Sequence, residues 1–108
     1  MQLLPNYIKK QIPPLYSQEN NPDPKVVCKF FDPTGSWTWY VIEGQQQEND
    51  YLFFGYVIGH EAELGYFTLS QLIDAKRKAE GFAALPIERD LYFTPQRLSS
   101  VKRLHNIA

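Results

Sequence analysis

The chain has 108 residues, of which 44% are hydrophobic and 15% aromatic, a size and composition that favour one packed domain over residues 1–108. Its net charge of −1 excludes a general attraction to nucleic acid or membranes, and no run approaches the ~18 apolar residues of a membrane span. The single cysteine, Cys28, which we expect to be buried, excludes an internal disulfide and zinc sites with several cysteines. No signal-peptide pattern opens the chain, so we expect a cytoplasmic protein.

The N-terminal third predicts one helix and one strand. Residues 3–12 have apolar side chains at every fourth position, as in a short helix, and two prolines end it. Residues 15–24 have no periodicity and predict a surface loop. Residues 26–31 have strand composition, and residues 32–35 follow with the turn signature Asp-Pro-Thr-Gly.

The aromatic centre of the chain predicts a sheet meander. Residues 36–43 alternate between two faces and predict a strand, which a polar loop over residues 44–50 follows. Residues 51–58 are apolar on both faces, as in a central strand covered on both sides, and Gly55 marks a bulge or a close backbone approach. Residues 64–67 predict a further short strand.

The C-terminal part predicts two helices and a last strand. The T-x-x-Q capping box at Thr68 begins a helix that we expect to end at Gly81. A strand is expected from Asp90, and Thr94 is expected to cap a final helix that frays over residues 97–108. Together these elements predict an α+β fold, with an N-terminal, a capped central and a short C-terminal helix on an antiparallel sheet of four or five strands.

Charge is segregated along the chain. Between Lys29 and Lys76 there is no lysine or arginine, and the same interval contains the carboxylates of Asp32, Glu43, Glu48, Asp50, Glu61, Glu63 and Asp74. The following segment carries the cations of Lys76, Arg77, Lys78, Arg89, Arg97, Lys102 and Arg103. This segregation has two interpretations. In the first, the acidic and basic residues attract each other or are simply solvated. In the second, the acidic face binds a basic partner.

One charged cluster precedes the last predicted strand. Glu88, Arg89 and Asp90 are consecutive, and the guanidinium of Arg89 can pair with a carboxylate such as Glu43 or Glu63. Such a pair would fix the entry of the strand. The alternative is a role of the cluster in recognition or catalysis.

Two further groups of residues are candidate sites. His60, Glu61 and Glu63 resemble a metal or acid–base cluster, but too few ligands accompany them, so we expect a solvated loop and no metal or cofactor. Trp37 and Trp39 can pack in the core or stack on bases or sugars. Stacking modules for nucleic acid also need basic residues nearby, and this segment has only acids.

Several blocks of sequence together resemble a known family. They are Leu15-Tyr-Ser-Gln-Glu19, Lys29-Phe-Phe31, Trp37-Thr-Trp-Tyr40 with Glu43-Gly44, Phe53-Phe-Gly-Tyr-Val57, Glu63-Leu-Gly-Tyr-Phe-Thr-Leu-Ser70 and Pro86-Ile-Glu-Arg-Asp-Leu-Tyr-Phe93. In this order they resemble the bacterial family catalogued as domain of unknown function 2958. The resemblance implies a small bacterial protein, often encoded near plasmid, phage or conjugative-element genes, and it supplies no catalytic residues.

Three functions follow as hypotheses. The first is a non-enzymatic interaction module, accessory or anti-defence in role, that docks on a basic protein through Glu43, Asp50, Glu61, Glu63, Glu88, Arg89, Asp90, Trp37 and Trp39. The second is nucleic-acid binding by the basic residues Lys76, Arg77, Lys78, Arg97, Lys102 and Arg103. The third is an enzyme whose pocket gathers Glu43, Glu63, Glu88, Arg89 and Asp90. Monomer and homodimer are both compatible with the sequence.

Overall fold

A computed structural model gives the structure of the chain and describes residues 2–75 and 85–107. The helices and strands in chain order are α1 (Asn6–Lys9), β1 (Lys25–Val26), β2 (Cys28–Phe31), β3 (Thr38–Gln47), β4 (Asp50–Ile58), β5 (Ala62–Thr68), α2 (Leu69–Asp74), β6 (Glu88–Arg89), β7 (Gln96–Arg97) and α3 (Leu98–Leu104). Five strands form an antiparallel sheet in the order β5-β4-β3-β2-β6, while β1 and β7 pair with each other. The predicted α+β class, with an antiparallel sheet and three helices, is confirmed.

The hairpin of β3 and β4 is the longest paired unit of the sheet. It joins Thr38 to Ile58 at one end and Gln47 to Asp50 at the other. The predicted loop over residues 44–50 is therefore wrong, because these residues continue the two strands and only a short turn remains between them. Their side chains are polar because most of them are exposed, and cross-strand backbone pairing keeps the chain extended regardless of side-chain polarity.

A β-bulge in β3 decides on which face of the sheet its residues lie. Before the bulge, Val41 lies on one face, and Tyr40 and Ile42 lie on the other. The register shifts between Val41 and Glu43, so that Glu43 pairs directly with Phe54. Directly paired residues share a face, and an extra residue in one strand re-aims the side chains that follow it. Glu43 therefore lies on the same face as Ile42, against the simple alternation of a strand.

One core lies between the sheet, the N-terminal segment and α2. Its buried side chains are those of Leu4, Ile12, Val27, Cys28, Phe30, Val41, Tyr51, Phe53, Phe67, Leu72 and Ile87. Ile8 of α1 packs against this cluster, so we call this side of the sheet the α1–α2 face. Cys28 is buried as predicted, and burial raises the pKa of its thiol to about 12.

A second core lies on the opposite side of the sheet, beneath β1 and α3. Its buried side chains are those of Val26, Tyr40, Ile42, Tyr56, Leu98 and Val101. We call this side the α3 face. The hydroxyl of Tyr40 is hydrogen-bonded to Nε2 of His105 at 2.7 Å, which ties the end of α3 to the sheet. The alternation predicted for residues 36–43 is confirmed up to the bulge.

The capping box of α2 is confirmed in both directions. The Thr68 hydroxyl accepts a hydrogen bond from the Gln71 N–H at 3.2 Å, and Oε1 of Gln71 accepts one from the Thr68 N–H at 2.8 Å. The end predicted for this helix at Gly81 lies outside the described residues. In the described ranges the longest helix is α3 with seven residues, and no helix there is long and apolar enough to cross a membrane.

Two predicted helices begin or end elsewhere. The helix over residues 3–12 is shorter in the structure, because the chain tightens after Lys9 and the Ile12 N–H bonds to the Lys9 carbonyl three residues back. The final helix begins at Leu98 rather than after Thr94, because residues 96–97 are extended and pair with β1.

Three strands also differ from prediction. The strand over residues 26–31 is divided at Val27, because β1 leaves the sheet to pair with β7. The strand over residues 64–67 is longer, since β5 pairs with β4 along its whole length. A strand from Asp90 is wrong: β6 ends before it, and Asp90 Oδ1 accepts the Tyr92 N–H at 2.9 Å in a local turn.

The expected close approach at Gly55 is confirmed and gives a matched pair of variants. A Cβ at Gly55 would overlap the backbone carbonyl of Tyr40, whereas a Cβ at Gly65, the cross-strand partner of Gly55, would have no neighbour within 4 Å. We expect Gly55→Ala to lower the free energy of unfolding by about 3 kcal/mol, and Gly65→Ala to change it by less than about 1 kcal/mol. Urea denaturation measures both, and equal losses would contradict the close approach.

Candidate binding sites

Four side chains meet near the turn between β4 and β5. Trp37, His60, Glu61 and Glu63, here called the acidic corner, line a shallow cavity of about 310 Å³ together with Val57. The ring of Trp37 is edge-on to that of His60, with centroids 5.6 Å apart. The corner thus combines two carboxylates with two aromatic rings at one end of the sheet.

The acidic corner is open to solvent. Glu61 and Glu63 are exposed, and in the described part of the chain neither carboxylate takes part in a hydrogen bond or an ion pair. Trp37 is 38% exposed and covers Gly59, where a Cβ would overlap the indole ring. Trp39 lies 6.0 Å from Trp37 between ring centroids and packs on the core of the α1–α2 face. The structure therefore brings together Trp37, Trp39, Glu61 and Glu63, four of the residues predicted for partner binding.

A second cavity, of about 430 Å³, lies on the α3 face between the sheet and the connector that follows α1. We call it the Glu43 groove. Its walls include Tyr16, Glu19, Glu43, Phe54, Tyr66 and Lys102. Of these residues, only Glu43 and Lys102 are among the candidates that the sequence indicates. The three aromatic residues carry no local signal, since Tyr16 lies in an irregular connector and the other two sit on ordinary apolar strands.

Glu43 holds the connector against the sheet. Its side chain is only 3% exposed, and its two oxygens accept hydrogen bonds from the Tyr16 N–H at 2.8 Å and the Gln18 N–H at 2.7 Å. Tyr16 has a φ of 70°, a left-handed conformation that costs a non-glycine residue roughly 1–2 kcal/mol. The charge-assisted hydrogen bond to Glu43 compensates for this cost and places the Tyr16 ring at the groove.

The Tyr66 hydroxyl reports the electrostatic character of the groove. Partial desolvation raises the pKa of Tyr66 most, followed by the interaction with Tyr16, including a side-chain hydrogen bond. The negative charges of Glu43 and Glu19 raise the pKa further, because they oppose a phenolate. Both carboxylates therefore lie close enough to the Tyr66 hydroxyl to oppose its ionisation.

Asp50 has a structural role, because its carboxylate binds the first turn of α2. Its carboxylate accepts hydrogen bonds from the Ser70 N–H at 3.1 Å and the Ser70 hydroxyl at 2.6 Å, at the start of α2. Asp23 binds Ser99 at the start of α3 in the same way, at 2.9 Å and 2.7 Å. In each case a carboxylate distant in sequence satisfies a free N–H in the first helical turn, where the helix dipole also favours an anion. The sequence did not indicate either contact.

In the charged cluster at β6, Arg89 and Asp90 also make contacts within the chain. Arg89 is 5% exposed, and its guanidinium donates to the carbonyl oxygens of Gln2 at 2.8 Å and Leu3 at 3.0 Å and to the Tyr7 hydroxyl at 2.9 Å. Within the described residues neither Glu43 nor Glu63 forms the ion pair with Arg89 that was predicted. These hydrogen bonds instead tie the N-terminal segment to β6.

Glu88 and Asp90, the acidic neighbours of Arg89, lie at the β6 edge of the sheet. Glu88 pairs with Phe31 in β2, and Asp90 forms an ion pair with Lys29 at 3.7 Å. Both are half-buried. This edge lies across the sheet from β5, so the β6 cluster is separate from the acidic corner.

The predicted basic surface is described only in part. Lys76, Arg77 and Lys78 lie outside the described residues. Arg97 donates to the Asp23 carbonyl at 3.0 Å, and Arg103 donates to the Ser100 hydroxyl at 3.1 Å. The ammonium of Lys102 lies 5.4 Å from the centroid of the Tyr56 ring, at the wall of the Glu43 groove.

The residues of the enzyme hypothesis do not share a cavity. Glu43 lines the Glu43 groove, Glu63 lines the acidic corner, and Arg89 and Asp90 line a third cavity of about 230 Å³ near α1. The convergence that this hypothesis requires is therefore not found among its five residues. Within residues 2–75 and 85–107 no group of three or more His, Cys, Asp or Glu side chains is placed to hold a metal ion.

The fold and these two sites define a small α+β protein with an acidic corner at one end of its sheet and a carboxylate-lined groove on one face. The chain belongs to the family described as protein of unknown function DUF2958, whose family model matches residues 2–106. The resemblance found in the sequence is thereby confirmed over nearly the whole chain. Neither a curated protein nor a solved structure matches it.

The Asp50 contact predicts a pH dependence. The Ser70 hydroxyl first, and then the Tyr51 N–H, lower the pKa of Asp50 below 3.8. A lowered pKa in the folded state gives stability that is present above the unfolded pKa and is lost as pH falls through the folded pKa. We expect Asp50→Asn to lower the melting temperature at about pH 6, and this difference from the unmodified chain to shrink by about pH 3.

Glu48→Gln, which removes an exposed carboxylate at the hairpin turn, is the matched control and should show no such difference. Melting curves recorded by circular dichroism across this pH range make the comparison. A difference between Asp50→Asn and the unmodified chain that stays constant with pH would contradict the assignment.

The Glu43 contact predicts a large effect on stability. Glu43→Ala leaves the N–H groups of Tyr16 and Gln18 without their charged acceptor, so we expect the free energy of unfolding to fall by about 3 kcal/mol. Glu61→Ala removes a carboxylate without a partner in the described residues and should change it by less than about 0.5 kcal/mol. Urea denaturation compares the two variants, and similar losses would show that Glu43 does not hold the connector.

Proposed function

We propose that this chain is a protein-interaction module that docks a basic, extended segment of another protein at the acidic corner and along the neighbouring strand β5. The observation that carries the proposal is the pair of exposed carboxylates, Glu61 and Glu63, beside the half-exposed ring of Trp37. Two of the other predicted acids, Glu43 and Asp50, bond to the chain's own N–H and hydroxyl groups, and Asp90 pairs with Lys29.

Charge complementarity favours a basic partner. The sequence between Lys29 and Lys76 contains no lysine or arginine, so no cation from β3, β4 or β5 neutralises the corner. Exposed carboxylates of one sign attract a partner of opposite charge and fix its orientation, while contributing modestly to affinity. The Trp37 ring adds a surface on which a lysine or arginine side chain can pack.

The edge of the sheet supplies a docking surface for backbone. β5 is at one end of the strand order, and among the described residues no strand pairs with its outer side. Its seven residues contain neither proline nor lysine, the residues that commonly protect an edge from further pairing. An extended peptide can add to such an edge through main-chain hydrogen bonds, with its side chains giving specificity. Glu63 lies within β5, so such a peptide would pass beside it.

The biological setting of the proposal rests on the family resemblance. A bacterial, cytoplasmic accessory or anti-defence protein encoded near mobile-element genes would meet many nucleic-acid-handling proteins, which carry basic surfaces. The proposed partner is accordingly a basic protein of this kind. The acidic corner would compete with nucleic acid for the basic segment of that protein.

A defined peptide tests the docking surface. The probe is a fluorescent peptide of about eight residues alternating lysine with threonine, matched to the seven residues of β5, and its binding is followed by anisotropy. We expect binding that weakens as salt rises. Glu61→Gln combined with Glu63→Gln should weaken it roughly tenfold, because each exposed ion pair contributes up to about 1 kcal/mol.

Glu48→Gln is the control for loss of an exposed carboxylate away from the corner and should bind as the unmodified chain does. A peptide with glutamate in place of lysine should not bind. Binding that is unchanged in the Glu61 and Glu63 variant would overturn the proposal. Binding of a single-stranded oligonucleotide in place of the peptide would also overturn it and favour the nucleic-acid hypothesis.

A further inference from the structure

The Glu43 groove contains a buried negative charge without a counter-charge. Glu43 is 3% exposed, and no lysine or arginine of the described residues forms an ion pair with it. Buried charges are normally paired with an opposite charge, because desolvation disfavours an isolated ion. Lys102 is the nearby candidate, since it lines the same groove, but its ammonium lies over the Tyr56 ring at 5.4 Å.

The carboxylate also has unused acceptor capacity. Its two oxygens offer about four acceptor positions, and the N–H groups of Tyr16 and Gln18 occupy two of them. Glu43 itself lines the groove. A donor of positive charge would both satisfy these positions and neutralise the buried ion.

The walls of the groove suit a cation on an apolar chain. Tyr16, Phe54 and Tyr66 line it, and the rings of Phe54 and Tyr66 lie with centroids 5.0 Å apart. Aromatic faces attract lysine and arginine side chains and also pack on their methylene groups. Glu19 adds a second carboxylate at the wall. The volume of about 430 Å³ exceeds what one amino-acid side chain fills and lies in the usual range of ligand sites.

We infer that the Glu43 groove binds a primary ammonium or guanidinium group carried on an unbranched aliphatic chain. The cation contacts the Glu43 carboxylate, and the chain lies along the rings of Tyr16, Phe54 and Tyr66. Lysine and arginine side chains and free polyamines share this chemistry. Desolvation mainly raises the pKa of Tyr66, and the charges of Glu43 and Glu19 raise it further, which agrees with two carboxylates acting on this part of the groove.

The groove is separate from the acidic corner. Glu43 and Tyr66 lie on the α3 face of the sheet, whereas Trp37 and Glu63 lie at the end of the α1–α2 face. The strained backbone of Tyr16, with its φ of 70°, occurs at the groove and not at the corner. Tyr66 belongs to β5, so the groove adjoins the proposed docking strand, but the groove depends on Glu43 whereas the docking surface depends on Glu61 and Glu63. Variants of these carboxylates therefore test the two proposals separately.

Nuclear magnetic resonance on the ¹⁵N-labelled chain tests it directly. The probes are N-acetyl-lysine amide, N-acetyl-arginine amide and spermidine, with N-acetyl-norleucine amide as the neutral match for lysine. The amide protons of Tyr16 and Gln18 donate to Glu43, so a cation at that carboxylate must shift both signals. We expect saturable shifts with a Kd of roughly millimolar for a cationic probe and none with norleucine.

Two variants separate binding from structure. Tyr66→Ala removes a half-exposed ring at the edge of the sheet and should weaken cation binding roughly threefold, whereas Tyr92→Ala, at a 94% exposed ring outside the groove, should not change it. Lys102→Met removes the competing cation but keeps the aliphatic chain, so it should strengthen binding roughly threefold. A purely structural role of these residues predicts no gain in affinity.

The outcomes are distinct. Shifts with the amino-acid amides stronger than with spermidine assign the site to a peptide side chain, and the reverse order assigns it to a free polyamine. Either order supports the shared chemistry. No shift up to about 20 mM of any cation, equal shifts with norleucine, or weaker binding in Lys102→Met would overturn the inference.

Discussion

The carboxylate of Glu43 joins the two parts of the protein that the sequence separates most clearly, the irregular connector after α1 and the aromatic sheet. Its oxygens accept the N–H groups of Tyr16 and Gln18 and so fix a segment that has little regular structure of its own. This contact depends on the bulge in β3, since without the extra residue Glu43 would point into the core of the α1–α2 face. The groove on the α3 face exists because the connector is held there.

The acidic residues of the central segment have divided roles. Asp50 accepts hydrogen bonds from the N–H and hydroxyl groups of Ser70 at the start of α2, and Asp23, outside this segment, does the same for Ser99 at the start of α3. Glu43 holds the connector. These carboxylates stabilise the fold, and the hydrogen bonds from serine lower the pKa of Asp23 and Asp50. Glu61 and Glu63 have no such donors among the described residues. The absence of an internal partner for these two charges is the basis on which we propose that the acidic corner binds another molecule.

Local signals in the sequence predicted the elements that depend on neighbouring residues. The capping box at Thr68 involves residues three positions apart, and the turn at Asp32 closes on itself through the Gly35 N–H. The sheet, its aromatic core and the α+β class follow from composition and alternation. The face of the sheet on which Glu43 lies could not be predicted, because a bulge changes which side chains alternate between the two faces without changing the composition of the strand. The role of Tyr16 depends on a partner 27 residues away, so no local pattern indicates it.

A buried carboxylate, Glu43, holds the connector and thereby builds the groove, and amide hydrogen exchange tests this contact most directly. In the native chain the N–H groups of Tyr16 and Gln18 should exchange at least roughly a hundredfold more slowly than that of Asn20, which lies in the same connector and makes no hydrogen bond among the described residues. Slow exchange at both positions, lost together in Glu43→Ala, is the predicted result. Exchange of Tyr16 and Gln18 as fast as that of Asn20 would contradict the claim, because it would show that the connector is not held by Glu43.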